Sequence, residues 1–135
     1  MPCNCCEITD NAFSEAEARA ELRNYRKRGP LKQTKLILNA IRSLNLKNVD
    51  LLDIGGGIAM IHHELLDDVE DQATHVDASS AYLKEAKTEA ARRGHTERVH
   101  FIHADFTDVA SDLPKADIVT LDRVVGDPEP PVVEF

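Results

Sequence analysis

No apolar run in this chain approaches transmembrane length, and no charged-then-apolar leader opens it, so a membrane partner is not expected and a cytoplasmic location is. Positive charge is scarce: 16 Lys and Arg stand against 24 Asp and Glu in 135 residues, a net charge of −8. That balance argues against a nucleic-acid surface as the main business of the protein. Aromatic residues are few, at 4%, and tryptophan is absent. Cysteine is missing after the first six positions; Cys3, Cys5 and Cys6 are odd in number and crowded, which is no disulfide framework, and no fourth ligand nearby completes a metal site. There is no internal repeat. What remains is a chain of one-domain length whose 42% apolar content allows a real core.

Within it, Val49-Asp50-Leu51-Leu52-Asp53-Ile54 is an apolar run too short for a helix, closed by Gly55, Gly56 and Gly57. It reads as a buried strand, and Ile58, Ile61 and Leu65 then recur at helical spacing. Strand, glycine turn and helix are the opening of an α/β unit, in which glycines let the backbone approach a ligand and the first helical N–H groups point into the space above the strand. Three further strands follow: Ala73–Asp77, Val99–Ala104 and Asp117–Asp122. A helix from about Ser80 to Arg93 carries Leu83, Ala86 and Ala90 inward and a Glu89–Arg93 pair outward, and Gly94 stops it. Strands alternating with helices imply parallel pairing and right-handed crossovers.

Two helices precede this unit. Ser14-Glu15-Ala16-Glu17 fits a capping box, with Ala18, Leu22 and Tyr25 on one face and Arg19, Arg23, Arg26, Lys27 and Arg28 on the other face and end. Gly29-Pro30 ends it, and Ile37, Ile41 and Leu44, with Leu38 beside them, mark a second buried stripe. The run Asp67-Asp68-Val69-Glu70-Asp71 reads as a solvated acidic loop. The expected organisation is a disordered tip over residues 1–12, a helical cap over 13–46, an α/β core over 47–125 and a proline-rich tail over 126–135.

The informative regularity is that each expected strand finishes at or beside an aspartate: Asp53, Asp77, Asp105 and Asp122. In an open parallel sheet the carboxyl ends of the strands line the ligand crevice. Four acids on one edge repel one another unless a ligand with positive charge or several donors lies between them. A dinucleotide site fits poorly, because Met60 occupies the third glycine position of that fingerprint and pyrophosphate would sit near Asp53.

Asp53-x-Gly55-x-Gly57-x-Ala59 resembles the first motif of class I S-adenosylmethionine-dependent methyltransferases, with Ala59 where a third glycine is common. His75-Val76-Asp77 is similar to the ribose motif, His103-Ala104-Asp105-Phe106 to the adenine motif, and Ala116 through Asp122 to the fourth-strand motif. The resemblance covers Val49 to about Val125. It implies a Rossmann-like open parallel sheet, incomplete at about four strands in the order 3-2-1-4, with S-adenosylmethionine held by Asp53, Gly55, Gly56, Gly57, Asp77, Ala78, Asp105, Phe106 and Asp122. It also implies transfer of a methyl group to a small-molecule acceptor. The family's later strands are absent, so a truncated form is expected, with an open fourth-strand edge that a second copy covers in a homodimer. A binding module without turnover and an NAD-dependent oxidoreductase are the alternatives.

A metal is not expected. His62 and His63 are adjacent and point apart, and His100 and His103 differ by an odd number along a strand. No catalytic base is singled out.

Overall fold

The structure is a computed structural model and describes residues 14–68 and 71–122; the cysteine-bearing tip and the proline-rich tail lie outside the described residues. Helix α1 spans Glu15–Arg28 and α2 spans Lys32–Ser43. Strand β1 (Asp50–Ile54) leads through the glycine turn to α3 (Met60–Asp68), followed by β2 (Gln72–Asp77) and α4 (Ser80–Arg93). After a 3-10 turn come β3 (Val99–His103), the single-turn α5 (Phe106–Val109), a second 3-10 turn and β4 (Ile118–Thr120). The four strands form one parallel sheet in the order β3-β2-β1-β4, as expected for this arrangement of elements.

Alternation along the strands divides the core. Leu51, Ala73, Val99 and Ile118 share one sheet face and pack against Leu38 of α2 and Ile61, Leu65 and Leu66 of α3. Leu52, Ile54 and Val76 point the other way, towards Ile102, Phe106, Val109 and Leu113. A third cluster joins Leu22 and Tyr25 of α1 to Ile58 and Met60, so the N-terminal cap sits on the segment just after the glycine turn.

Local signals behave as their chemistry dictates. The Ser14 hydroxyl accepts the Glu17 amide at 3.1 Å, and Ala18, Leu22 and Tyr25 are buried. Gly94 closes α4 in the left-handed region at φ 78°. The buried stripe of α2 differs from expectation in part: Ile37 and Ile41 pack, partly buried, against the same core as Leu38, Thr34 joins Leu38 as fully buried, and Leu44 is 54% exposed. Leu44 lies past the last helical residue, as the cap of the helix.

Two electrostatic expectations are also corrected. Glu89 does not point outward; it is buried and takes Arg26 at 2.9 Å, Arg92 at 2.7 Å and Arg93 at 2.8 Å. Nor is the acidic run only solvated surface. Asp67 pairs with Arg93 at 2.6 Å and His95 at 2.8 Å, Asp68 pairs with Arg42 at 2.9 Å, and buried Asp71 accepts the Val49 amide at 3.0 Å. These partners lie far along the chain, so no local pattern announces them.

Candidate functional site

All four strands run the same way, so their carboxyl ends share one rim, where β1 hands over to the glycine turn. Gly55 and Gly57 have φ of 63° and 60°, the left-handed region that L side chains resist. Gly56 is there for another reason. A Cβ on it would strike the Asp53 carboxylate and lie 2.7 Å from His75 Cε1. The turn therefore rests directly on these two side chains.

Ala59 is also left-handed, at φ 73°, and precedes α3 rather than opening it. Alanine there is strained by roughly 1 kcal/mol, which explains why a third glycine suits this position.

Asp77, at the end of β2, is tied to the same turn. Its Oδ2 accepts the Gly57 amide at 2.8 Å and its Oδ1 accepts the Ser79 amide at 2.7 Å. Both oxygens of Asp77 are thereby engaged by backbone amides, which fixes its orientation at the end of β2. The neighbouring Ala78 carbonyl lies 2.9 Å from His103 Nε2. Asp105 caps α5, accepting the Thr107 amide at 2.9 Å, and Phe106 packs over the Leu52–Ile54–Val76 cluster. Asp122, just past β4, accepts the Thr34 hydroxyl of α2 at 2.6 Å, which joins the cap to the rim.

Asp53 sits beneath the turn and not on its surface: it is 1% exposed, and its Oδ1 accepts the Thr120 hydroxyl at 3.0 Å. Burial pushes its carboxyl up to about 7; the Thr120 hydrogen bond opposes this, while the charges of Asp122 and Asp77 add to it. The mutual repulsion of three strand-end acids is thus felt at Asp53. The structure brings Asp53, Gly55, Gly56, Gly57 and Asp77 into one contact network and sets Ala78, Asp105, Phe106 and Asp122 along the same rim. A cavity of about 320 Å³ lies at the opposite edge, bounded by Asp50, Gln72, Arg98 and Lys115; the amino ends of parallel strands are not where this architecture binds ligands.

Sequence reasoning missed a group of buried imidazoles behind the turn. His62, His63 and His75 are fully buried, and His62 Nε2 lies 3.0 Å from His75 Nδ1. Burial drives the His75 and His63 rings down to about 3, with Arg93 adding to the effect at His63. They are neutral at ordinary pH.

The profile of a methyltransferase domain family matches residues 51–132. The chain belongs to this methyltransferase family. Its fold resembles a SAM-dependent methyltransferase from Geobacter sulfurreducens solved with S-adenosyl-L-homocysteine, at 27% identity and TM-score 0.56, over 67% of this chain and 35% of that one. A SAM-dependent methyltransferase from Thiobacillus denitrificans, also solved with S-adenosyl-L-homocysteine, gives 26% identity, TM-score 0.56 and the same two coverages, 67% and 35%. An RNA methyltransferase from Salinibacter ruber shares the fold at 19% identity and TM-score 0.55, over 67% of this chain and 57% of that one. The chain thus spans about a third of the length of the first two relatives. No curated protein matches it significantly. Among the described residues, no helix of this methyltransferase-family chain is long and apolar enough to cross a membrane.

Proposed function

We propose that the carboxyl-end rim binds S-adenosylmethionine and that the chain serves methyl transfer to a small-molecule acceptor. The observation that carries this reading is the Gly57–Asp77 hydrogen bond above a Gly56 that leaves no room for a Cβ. It fuses the glycine turn and the β2 acid into one cradle. The donor set suits the ligand: the carboxylates of this rim are offset by a cation with ribose and amino donors.

In this proposal the backbone of Gly55 to Gly57 lies along the methionine and ribose portion. Asp77, with Ala78 beside it, accepts from the ribose hydroxyls, Asp105 and Phe106 take the adenine, and Asp122 faces the methionine end or the acceptor. Asp53 acts through the turn it supports. When bound, the sulfonium supplies a methyl already activated for in-line displacement. The chain's residues orient it and exclude water, with Tyr25, Leu22 and Ile58 closing the side under the cap. The net charge of −8 favours a small acceptor over a nucleic acid.

A second reading, a cofactor-binding module without turnover, is favoured by one fact: the chain spans only 35% of two relatives. Calorimetric titration with S-adenosylhomocysteine, run beside a methyl-transfer assay on candidate acceptors, tests both. The proposal expects binding that weakens at least tenfold in Asp77→Asn, a loss of about 1.4 kcal/mol or more, together with methyl transfer. Binding with no transfer to any acceptor selects the module, and NAD binding in place of S-adenosylhomocysteine overturns both.

A further inference from the structure

Spacing along the chain disfavours a metal because it compares histidines within one segment. The fold assembles donors from three. Asp53 of β1 and His75 of β2 are register partners in adjacent parallel strands, so their side chains leave the same sheet face side by side. Helix α3 covers that face and directs His62 onto them. One donor atom from each of Asp53, His62 and His75 lies within 4.8 Å of the other two, and all three residues are buried. We propose that these three side chains form a buried site for a divalent transition-metal ion of the zinc or cobalt type.

Four observations support it independently of any cofactor. Asp53 Oδ2 is buried with no hydrogen-bond partner and lies 4.0 Å from Nδ1 of the neutral His75 ring, too far for a hydrogen bond. Such an atom needs an explanation in a close-packed core, and a divalent ion is one. The separation of His62 Nε2 and His75 Nδ1, 3.0 Å, is close to the roughly 3.3 Å that two nitrogens adopt on one tetrahedral ion. Two imidazoles and one carboxylate are borderline donors that select zinc-like ions over magnesium or calcium. Finally, Gly56 packs its backbone against Asp53 and His75, so an ion held by these three donors, with a small ligand such as water in the fourth position, would tie β1, β2 and α3 together beneath the turn.

The balance of the binding step is simple. In the metal-free chain one of the two facing imidazole nitrogens carries the proton of the contact between them. Coordination by both neutral rings requires that this proton move to the other nitrogen of its own ring, a change of tautomer without net release, while any proton on the Asp53 carboxyl leaves to solvent.

The test uses the full chain without an affinity tag, carrying Cys3→Ser, Cys5→Ser and Cys6→Ser so that no native thiol competes for the ion. Chelator-stripped protein is titrated with Co(II) and with Zn(II), followed by visible absorption, calorimetry and thermal unfolding. The expected result is about one equivalent of ion per chain, cobalt d–d bands of a low-symmetry site, and a melting temperature that rises with zinc. His75→Phe, shown folded by circular dichroism, is expected to lose the bands. His62→Cys is expected to keep the ion and add a thiolate-to-cobalt charge-transfer band. Uptake far below one equivalent overturns the proposal, as does unchanged uptake in folded His75→Phe. Should His75→Phe not fold, a His62→Cys chain without the charge-transfer band overturns it alone. These readouts need no cofactor, so their failure leaves the S-adenosylmethionine reading standing, and the reverse.

Discussion

Two buried carboxylates in this domain differ in almost everything except burial. Glu89, on α4, is surrounded by Arg26 of α1 and by Arg92 and Arg93 of its own helix. Asp53, at the rim, meets one hydroxyl, two neighbouring acids and an imidazole. Burial by itself raises the Glu89 carboxyl, but hydrogen bonds from the three guanidinium groups outweigh it and hold it well below the usual carboxylate range. The Asp53 carboxyl goes the other way, up to about 7. One region satisfies its charge from within the chain and serves as a clamp between cap and core. At Asp53 burial dominates, with a single hydroxyl bond opposing it.

Breaking the clamp is expected to give the largest effect. Glu89→Ala takes one of three carboxylate partners from the partly buried Arg93, which keeps Glu64 and Asp67, and removes the Arg26 link between α1 and α4, at a cost of about 3 kcal/mol by urea unfolding. The pH dependence follows from the sign of the shift. Because the folded-state value of Glu89 is depressed below its ordinary 4.5, its contribution is complete above that pH and is lost as pH falls through the lower folded value. The stability gap between the natural chain and Glu89→Gln therefore stays flat above about pH 5 and narrows below it. A gap that widens on acidification contradicts the clamp.

Gly56→Ala comes next. The added methyl meets the Asp53 carboxylate and the His75 ring, both fixed by their surroundings, and overpacking of this kind costs about 2 kcal/mol. S-adenosylhomocysteine affinity is expected to fall with it; unchanged stability shows the turn is not seated on these side chains.

Asp53→Asn sharpens the contrast by having the smallest effect on folding. It removes a charge that Asp77 and Asp122 repel, so chelator-treated protein is expected to change by less than about 1 kcal/mol, against the large loss at Glu89. A loss as large as that of Glu89→Ala means that Asp53 has a stabilising partner of its own.

The same contrast explains what the residues alone disclose. The strand–glycine–helix unit and the strand order are legible because apolar runs and glycines act locally, and parallel α/β crossovers admit few topologies. The strand-end acids are legible for the same reason, since each closes its own strand. Glu89 reads as a surface pair because the i,i+4 pattern with Arg93 is visible while Arg26, a distant partner, is not. Thr34 is hidden within α2 because a polar residue on a buried stripe looks like an error of phase until Asp122 is brought to it. Ala59 reads as a helix residue by propensity and takes a left-handed turn because the glycine corner imposes it. The His62–His75–Asp53 group is invisible to spacing, since it exists only once β1, β2 and α3 are packed.

The central claim is that the carboxyl-end rim, not any other surface, receives the adenosyl ligand. Backbone amide chemical shifts recorded while S-adenosylhomocysteine is titrated into the labelled chain test it most directly. The account predicts that the largest changes fall at Gly55, Gly56, Gly57, Asp77, Ala78, Asp105 and Phe106. Changes centred on Asp50, Gln72 and Arg98 at the opposite edge of the sheet, or none at all at saturating ligand, contradict it.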